Sequence, residues 1–276
     1  MQGQDVVSRP GRRPVTHNGR FLLSPPKDIP LLLLIRESVF ISRQQIELLI
    51  AGRTNELDYR NRNRRLARLV ELGQIQTHPQ CFPYPGRVFS ITAQGMVTLD
   101  LVGQGLLSAS WDTKRLTDDA QTLHFLVLNE IQIAARKVFN IRRWIGDKEL
   151  KSLNIAVNHP TQKDYDSIME LSSLSDANVA IRVGIEYERI VKSKERYAQI
   201  RKNLEAETQI QGVLYFVENE TSAAFVSRVV YSEVVPVGVI VVSQFQSKGA
   251  DALMRVVQNR TVVSTSVRDY LKSLMS

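Results

Sequence analysis

Five arginines, Arg60, Arg62, Arg64, Arg65 and Arg68, fall within nine residues, and no acidic residue stands between Asp58 and Glu71. At helical spacing Arg60, Arg64 and Arg68 form one row and Asn61 and Arg65 the next, while Tyr59, Leu66, Leu69 and Val70 share an apolar stripe elsewhere on the same helix. A planar guanidinium grips two phosphate oxygens, or O6 and N7 of a guanine, at once; a lysine ammonium is only a point charge. Like charges at this spacing repel by about 0.2–0.5 kcal/mol per pair, and a polyanion relieves the repulsion. A solvated charged face is the plainer account of such a run. Its place in the third helix of the order set out below favours duplex DNA instead. Arg43, at the opening of the preceding helix, joins the expected contact set. So does Arg87, which follows Pro85 and Gly86 on a hairpin and is expected either at phosphate and minor groove or as an ordinary surface arginine.

Helices and a hairpin must hold that face. Residues 31–37 are expected as a short apolar helix, and Ser42 as the N-cap of a second with Ile46, Leu49 and Ile50 on one side. A turn over 51–55 precedes the basic helix, expected over about 58–72 and stopped by Gly73. Residues 74–78 and 87–91 are expected as strands around a proline-rich loop, and Thr92 as the cap of a helix carrying Met96 and Leu99 to about 101. Helix, helix, turn, helix, hairpin, helix is the order of a winged helix-turn-helix, here assigned to 29–103. Residues 1–28, rich in Gly, Pro, Arg and Asn, are expected as a flexible basic arm, idle or laid along DNA.

Residues 104–116, with Trp111, form a connector to an α/β domain over 117–276. There a helix is expected over 118–138, a strand over 141–144, a polar loop around 158–166, and strands over 178–183 and 185–191. A helix over 193–208, a strand over 212–217, a helix over 221–230, a strand over 234–242 and two short segments complete the chain. The fold class expected is therefore α+β.

Composition bounds the alternatives. The 276 residues are 43% hydrophobic, enough for a packed core, and the net charge is +8, of which +6 lies in residues 1–110. A single cysteine, Cys81, excludes an internal disulfide framework and a thiolate metal cluster and suits a reducing compartment. The longest apolar runs, 29–35 and 234–242, are interrupted by proline and fall short of the roughly 20 residues of a membrane span. Nothing at the start resembles a signal peptide, so the expected location is cytoplasmic, without a membrane. His17, His78, His124 and His159 lack the pairing of a zinc site, and His124 is expected as a satisfied core histidine. No phosphate-binding glycine loop and no nucleophile elbow is present.

The stretch 31–42, the helix 60–73 and the run Arg87-Val88-Phe89-Ser90-Ile91-Thr92 resemble the replication-relaxation family, winged-helix proteins of plasmids and other bacterial mobile elements. The likeness continues through His124 and Asn129, Trp144 and Glu149, Asp176-Ala177, Glu186 and Glu188, and Lys194 with Tyr197, covering roughly 29–220. It implies DNA binding in element maintenance, conjugative transfer or transcription control, with double-stranded DNA as partner, a homodimer as the expected state, and a relaxase or replication initiator as a further expected partner.

The order Glu149, Asp176, Glu186 also resembles the core of restriction-endonuclease-like nucleases, in which three acids hold magnesium and a lysine two residues after the last assists the attacking water. Glu186 and Glu188 would point to one face of a strand. Glu188, however, stands where that lysine belongs, and Ser175 where a proline usually precedes the aspartate. Lys192 or Lys194 would have to reach in from the following turn. Three alternatives stay open: an active nuclease using Mg2+, a degenerate nuclease-like domain serving dimerisation or contacts, or coincidence. Outside the first, no cofactor is expected.

Overall fold

The computed structural model describes residues 23–51, 59–78, 81, 83–84, 86–106, 119–156, 161–172, 180–258 and 261–275, the side chains of 51, 59–62 and 258 excepted. The arm over 1–22, the turn after Ala51, much of the hairpin loop, the connector from 107 onward and Asp176 lie outside them.

The first unit runs α1 (Pro25–Ser38), β1 (Ile41–Ser42), α2 (Arg43–Ala51), α3 (Tyr59–Glu71), β2 (Ile75–His78), β3 (Val88–Ile91) and α4 (Ala93–Leu101). Its three strands form an antiparallel sheet in the order β1-β3-β2, with Ile41 opposite Phe89 and Ile75 opposite Ile91. Leu32, Ile35, Ile46, Leu49, Leu69, Ile91 and Leu99 fill the space between sheet and helices. The local signals act as their chemistry requires. Ser42 and Gln45 cap α2 reciprocally: the Gln45 N–H donates to Ser42 Oγ at 3.2 Å and the Ser42 N–H to Gln45 Oε1 at 3.1 Å. Gly73 ends α3 at φ +66°, and Thr92 Oγ1 accepts the Gly95 N–H at 3.1 Å.

The expected arm boundary at 28 needs correction. Helix α1 already begins at Pro25, because prolines in a first turn lack only N–H groups that would have no helical partner. Asp28 thus belongs to the first helix, where it is fully buried. Strand β1 was not expected, being too short for alternation to show.

The second unit runs α5 (Asp119–Val138), β4 (Ile141–Gly146), α6 (Asp147–Ala156), β5 (Ser167–Ser172), β6 (Ala180–Glu188), α7 (Lys194–Glu205), β7 (Gly212–Val217), α8 (Glu220–Val229), β8 (Val237–Val241), α9 (Val242–Lys248), β9 (Leu253–Gln258), β10 (Thr261–Ser266) and α10 (Val267–Ser273). Seven strands line up as β10-β9-β8-β7-β6-β5-β4. The central pairs β6-β7 and β7-β8 are parallel and the outer pairs antiparallel. Both faces are covered. On β7, Leu214 and Phe216 join the core beneath α5, α9 and α10, whereas Val213, Tyr215 and Val217 join the one beneath α6, α7 and α8. The chain is a mixed α/β molecule, with two sheets and ten α-helices among the described residues.

Two expectations here are corrected. The separate strands over 178–183 and 185–191 are one strand, β6, running through Gly184. That glycine is a close approach, not a turn: a Cβ there would lie 2.7 Å from the Tyr165 ring. The hairpin partner of β6 is β5, inside a stretch that shows no strand signal beside its charged leader 163–166. Helix α6 was also not expected, and the two short C-terminal segments are α9, the β9-β10 hairpin and α10.

Helix α5 joins the units. Gln45 Nε2 donates to the Leu126 carbonyl at 2.7 Å, and Asn129 Nδ2 donates to the Phe40 carbonyl at 2.7 Å. Val39, Phe40, Cys81, Tyr84 and Val88 of the first unit share one apolar cluster with Phe125, Leu126 and Ile131.

Candidate functional site

Helix α3 presents the basic run, and the structure divides its arginines. Arg64 is exposed. Arg65 and Arg68 turn inward to Asp28 of α1: Arg65 Nη1 lies 2.5 Å from one carboxylate oxygen, and Arg68 Nη2 bonds the other. Only 13% and 11% of these two side chains is open to solvent. The expectation that both project outward as DNA contacts is therefore corrected. They anchor α3 to α1, because a fully buried carboxylate must be paired. Asp28 Oδ2 also accepts the Ser24 N–H at 2.6 Å, closing the first turn of α1. Arg60, Asn61 and Arg62 lie on the first turn of α3, and their side chains fall outside the described residues.

Arg43 and Arg87 come together at the β1-β3 end of the small sheet, where the Arg43 N–H donates to the Arg87 carbonyl at 3.2 Å. Arg87 is exposed; Arg43 is half-buried and lies 3.3 Å from Glu47 one turn along α2. Sequence reasoning missed Asp28. The available signal was an acid in the run Pro25-Pro26-Lys27-Asp28 just ahead of an apolar helix, the usual place for a helix-capping carboxylate.

A second cluster of charge lies on the large sheet. Glu186 and Glu188 sit two residues apart on β6 and are both buried, as one face of a strand demands. Lys163 Nζ bonds Glu186, and Lys192 Nζ bonds Glu188. Asp166, immediately before β5, acts electrostatically on both. Its Oδ2 accepts the Tyr187 N–H at 2.8 Å, and its Oδ1 lies 3.3 Å from His124 Nε2 of α5. His124 is thus a half-buried, carboxylate-paired histidine whose ring also lies edge-on to Phe125.

Burial works against charge throughout this cluster. It pushes the Glu186 carboxyl up to about 7, with Lys163 opposing the rise and Asp166 adding to it. Burial likewise raises Glu188 in spite of Lys192. At Asp166 burial acts in the same direction, but His124, the Tyr187 N–H and Lys163 together outweigh it and hold the group below the usual carboxylate range.

The acids named from sequence are therefore only partly assembled. Glu149, in the first turn of α6, bonds Arg143 of β4, and the charges acting most strongly on Glu186 are Lys163, Asp166 and Lys192. Lys192 reaches the acids, whereas Lys194 is exposed at the start of α7. Asp176 lies outside the described residues. Asp166 was missed because Lys163-Asp164-Tyr165-Asp166 has the composition of a polar loop. No signal in the sequence marks it, because the strand that it precedes shows none.

Magnesium held by oxygen ligands needs several free carboxylate oxygens facing one point. Among the described residues no three of His, Cys, Asp and Glu are arranged to hold a metal ion. Glu186 and Glu188 are each paired with a lysine. Among those residues, too, no helix is long and apolar enough to cross a membrane. Comparison of this chain with family models, with curated proteins and with solved structures found no match.

Proposed function

We propose that this chain binds duplex DNA through α3, with its first unit acting as a winged helix-turn-helix. The observation that carries the proposal is the placement of an arginine-rich helix directly ahead of the β2-β3 hairpin of a small three-stranded sheet, with Arg64 open to solvent and its neighbours Arg65 and Arg68 locked to Asp28. That lock sets the pitch and rotation of α3 on α1, so the exposed side of the helix meets a groove without a further ordering cost. Arg87 and Arg43, adjoining at the β1-β3 end, supply phosphate contacts, and Arg60, Asn61 and Arg62 extend the contact set along the first turn of α3. The residues that resemble replication-relaxation proteins tie this to bacterial mobile elements, as a transcription regulator or as an accessory of replication or conjugative transfer. A homodimer reading two half-sites, and a relaxase or initiator as partner, belong to the same proposal.

The test is a salt titration of binding to duplex DNA by fluorescence anisotropy. Arg64→Ala is expected to weaken binding and to reduce the slope of log K against log salt by about 0.9, the share of one phosphate contact. Arg68→Ala is expected to lower stability and leave the slope unchanged. If Arg64→Ala leaves affinity and slope as they were, α3 does not face the DNA. The nuclease alternative, which would use Glu149, Asp176 and Glu186 with Mg2+, gains no support from carboxylates already paired with lysines. Cleavage of supercoiled DNA that requires a divalent ion and is lost in Glu186→Gln would reinstate it.

A further inference from the structure

We propose that β10, the open edge of the large sheet, pairs antiparallel with β10 of a second copy of this chain and makes it a dimer. Strand β10 pairs with β9 along its whole length, from Thr261 opposite Gln258 to Ser266 opposite Leu253, and among the described residues no strand lies on its other side. Its sequence, Thr261-Val262-Val263-Ser264-Thr265-Ser266, has four β-branched residues of six, no charge and no proline. An exposed edge of this composition offers a row of unpaired N–H and C=O groups to any strand that reaches it, and chains ordinarily blunt such an edge with charge, proline or a bulge.

The opposite edge shows those devices. Strand β4 carries exposed Arg142 and Arg143, its register with β5 slips between Ile141 and Arg143, and α1 lies so close that a Cβ on Gly146 would stand 2.7 Å from the Glu37 carbonyl oxygen. With one edge blunted and one open, strand pairing joins two copies and stops there. The open edge also fits a copy of itself. Val262, Ser264 and Ser266 share one side of the sheet with Leu253, Arg255 and Val257, and Val262 and Leu253 are 40% and 56% exposed. A two-fold axis normal to the sheet sets this side of one copy beside the same side of the other, and no like charges meet along the paired strands. A charged peptide, by contrast, finds no counter-charge on β10.

The first unit packs at the other end of the sheet, through α1 against β4 and α6, so the joined sheet carries its two copies of α3 toward opposite ends. The interface deepens the homodimer proposed above and rests on that part of the reading alone. The DNA contact of α3 is tested separately by Arg64→Ala, and either can fail without the other.

The experiment is sedimentation equilibrium of the full chain, without DNA, at micromolar concentration. The wild type is expected at twice the mass of one chain. Ser264 is exposed, and the axis brings its two copies opposite or diagonal to each other. Ser264→Lys is therefore expected to weaken the dimer about tenfold or more while leaving the far-ultraviolet circular dichroism unchanged. Ser264→Cys is expected to be joined to its copy by a short bis-maleimide, the native Cys81 being buried. A wild-type monomer, an assembly larger than two, or a dimer that Ser264→Lys leaves intact overturns the proposal; the last result would move the interface elsewhere, as to the exposed Val97 and Leu101 of α4. Should Ser264→Lys fail to fold, the cross-link decides, and its absence overturns the proposal equally.

Discussion

A buried carboxylate must be given a partner, a proton or a metal ion, and this chain uses the first two in different places. Asp28 takes the first course with two arginines, and breaking such a pair by removing one partner costs about 3–5 kcal/mol. Glu186 combines a lysine with a readiness to take up a proton, and that has a consequence for stability. Its folded-state pKa, about 7, is raised from an ordinary value of 4.5. The contribution is therefore fully present below about 4.5 and is lost as pH rises through about 7. His78, whose burial lowers its pKa, pulls the whole profile the other way, and Asp166, held low, acts only at more acid pH. The difference between Glu186→Gln and wild type isolates the effect: from pH 5 to pH 8 the variant is expected to gain on the wild type by on the order of 1–3 kcal/mol, measured by urea unfolding at each pH. A difference that stays flat over that range would show that Glu186 does not titrate there. At this scale the sequence displays residue types clearly and pairings poorly. Five arginines in nine residues are visible at once, but which of them face inward depends on an acid thirty-seven residues earlier than Arg65.

Elements are far more legible, because their signals are local. Gly73, Thr92, Ser42 with Gln45, and the alternation of 87–91 mark their helices and strands from within a few residues. The failures have local causes as well: Gly184 mimics a turn inside β6, and β5 follows a charged leader that masks it. Gly95 shows how an element is seated by the absence of a side chain. It lies in the first turn of α4, and a Cβ added there would stand 2.2 Å from the Gln74 carbonyl oxygen and 2.6 Å from Ile91 Cγ1. The backbone of Gln74 is fixed, since its carbonyl accepts both the Thr92 N–H and the Thr92 hydroxyl. Alanine at 95, although the better helix former, would thus push α4 off the sheet. Gly95→Ala is expected to destabilise the chain by about 1–3 kcal/mol, where helix propensity alone predicts a gain of about 1. Chemical unfolding decides the sign, and a stabilised variant would mean that α4 is not packed as described.

Across the whole molecule, α5 is the element whose role the sequence conceals. Its apolar positions suggest one inward stripe of Leu123, Leu126, Val127, Ile131 and Ala134, as a helix lying on a single sheet requires. In the structure it is buried on several sides: Ile133 enters the core of the first unit, Phe125, Leu126 and Ile131 lie in the cluster shared by both, and Gln132 and Asn129 are buried with them. Where a helix passes between two layers, side-chain amides must satisfy the loose backbone groups at the crossing. Asn129 does so at the Phe40 carbonyl and Gln45 at the Leu126 carbonyl. The two sheets therefore share a core, and the basic side of α3 is fixed relative to the large sheet instead of swinging on a linker. Such a chain is expected to unfold in one calorimetric transition, the first unit having no separate melting event. Asn129→Ala leaves the Phe40 carbonyl buried without that donor, at about 1–3 kcal/mol, and the single transition is expected to move down by several degrees as a unit, about 2–4 °C per kcal/mol. An early transition confined to the first unit, in wild type or variant, would show that α5 does not couple the sheets, and the fixed presentation of α3 would then have to be abandoned as well.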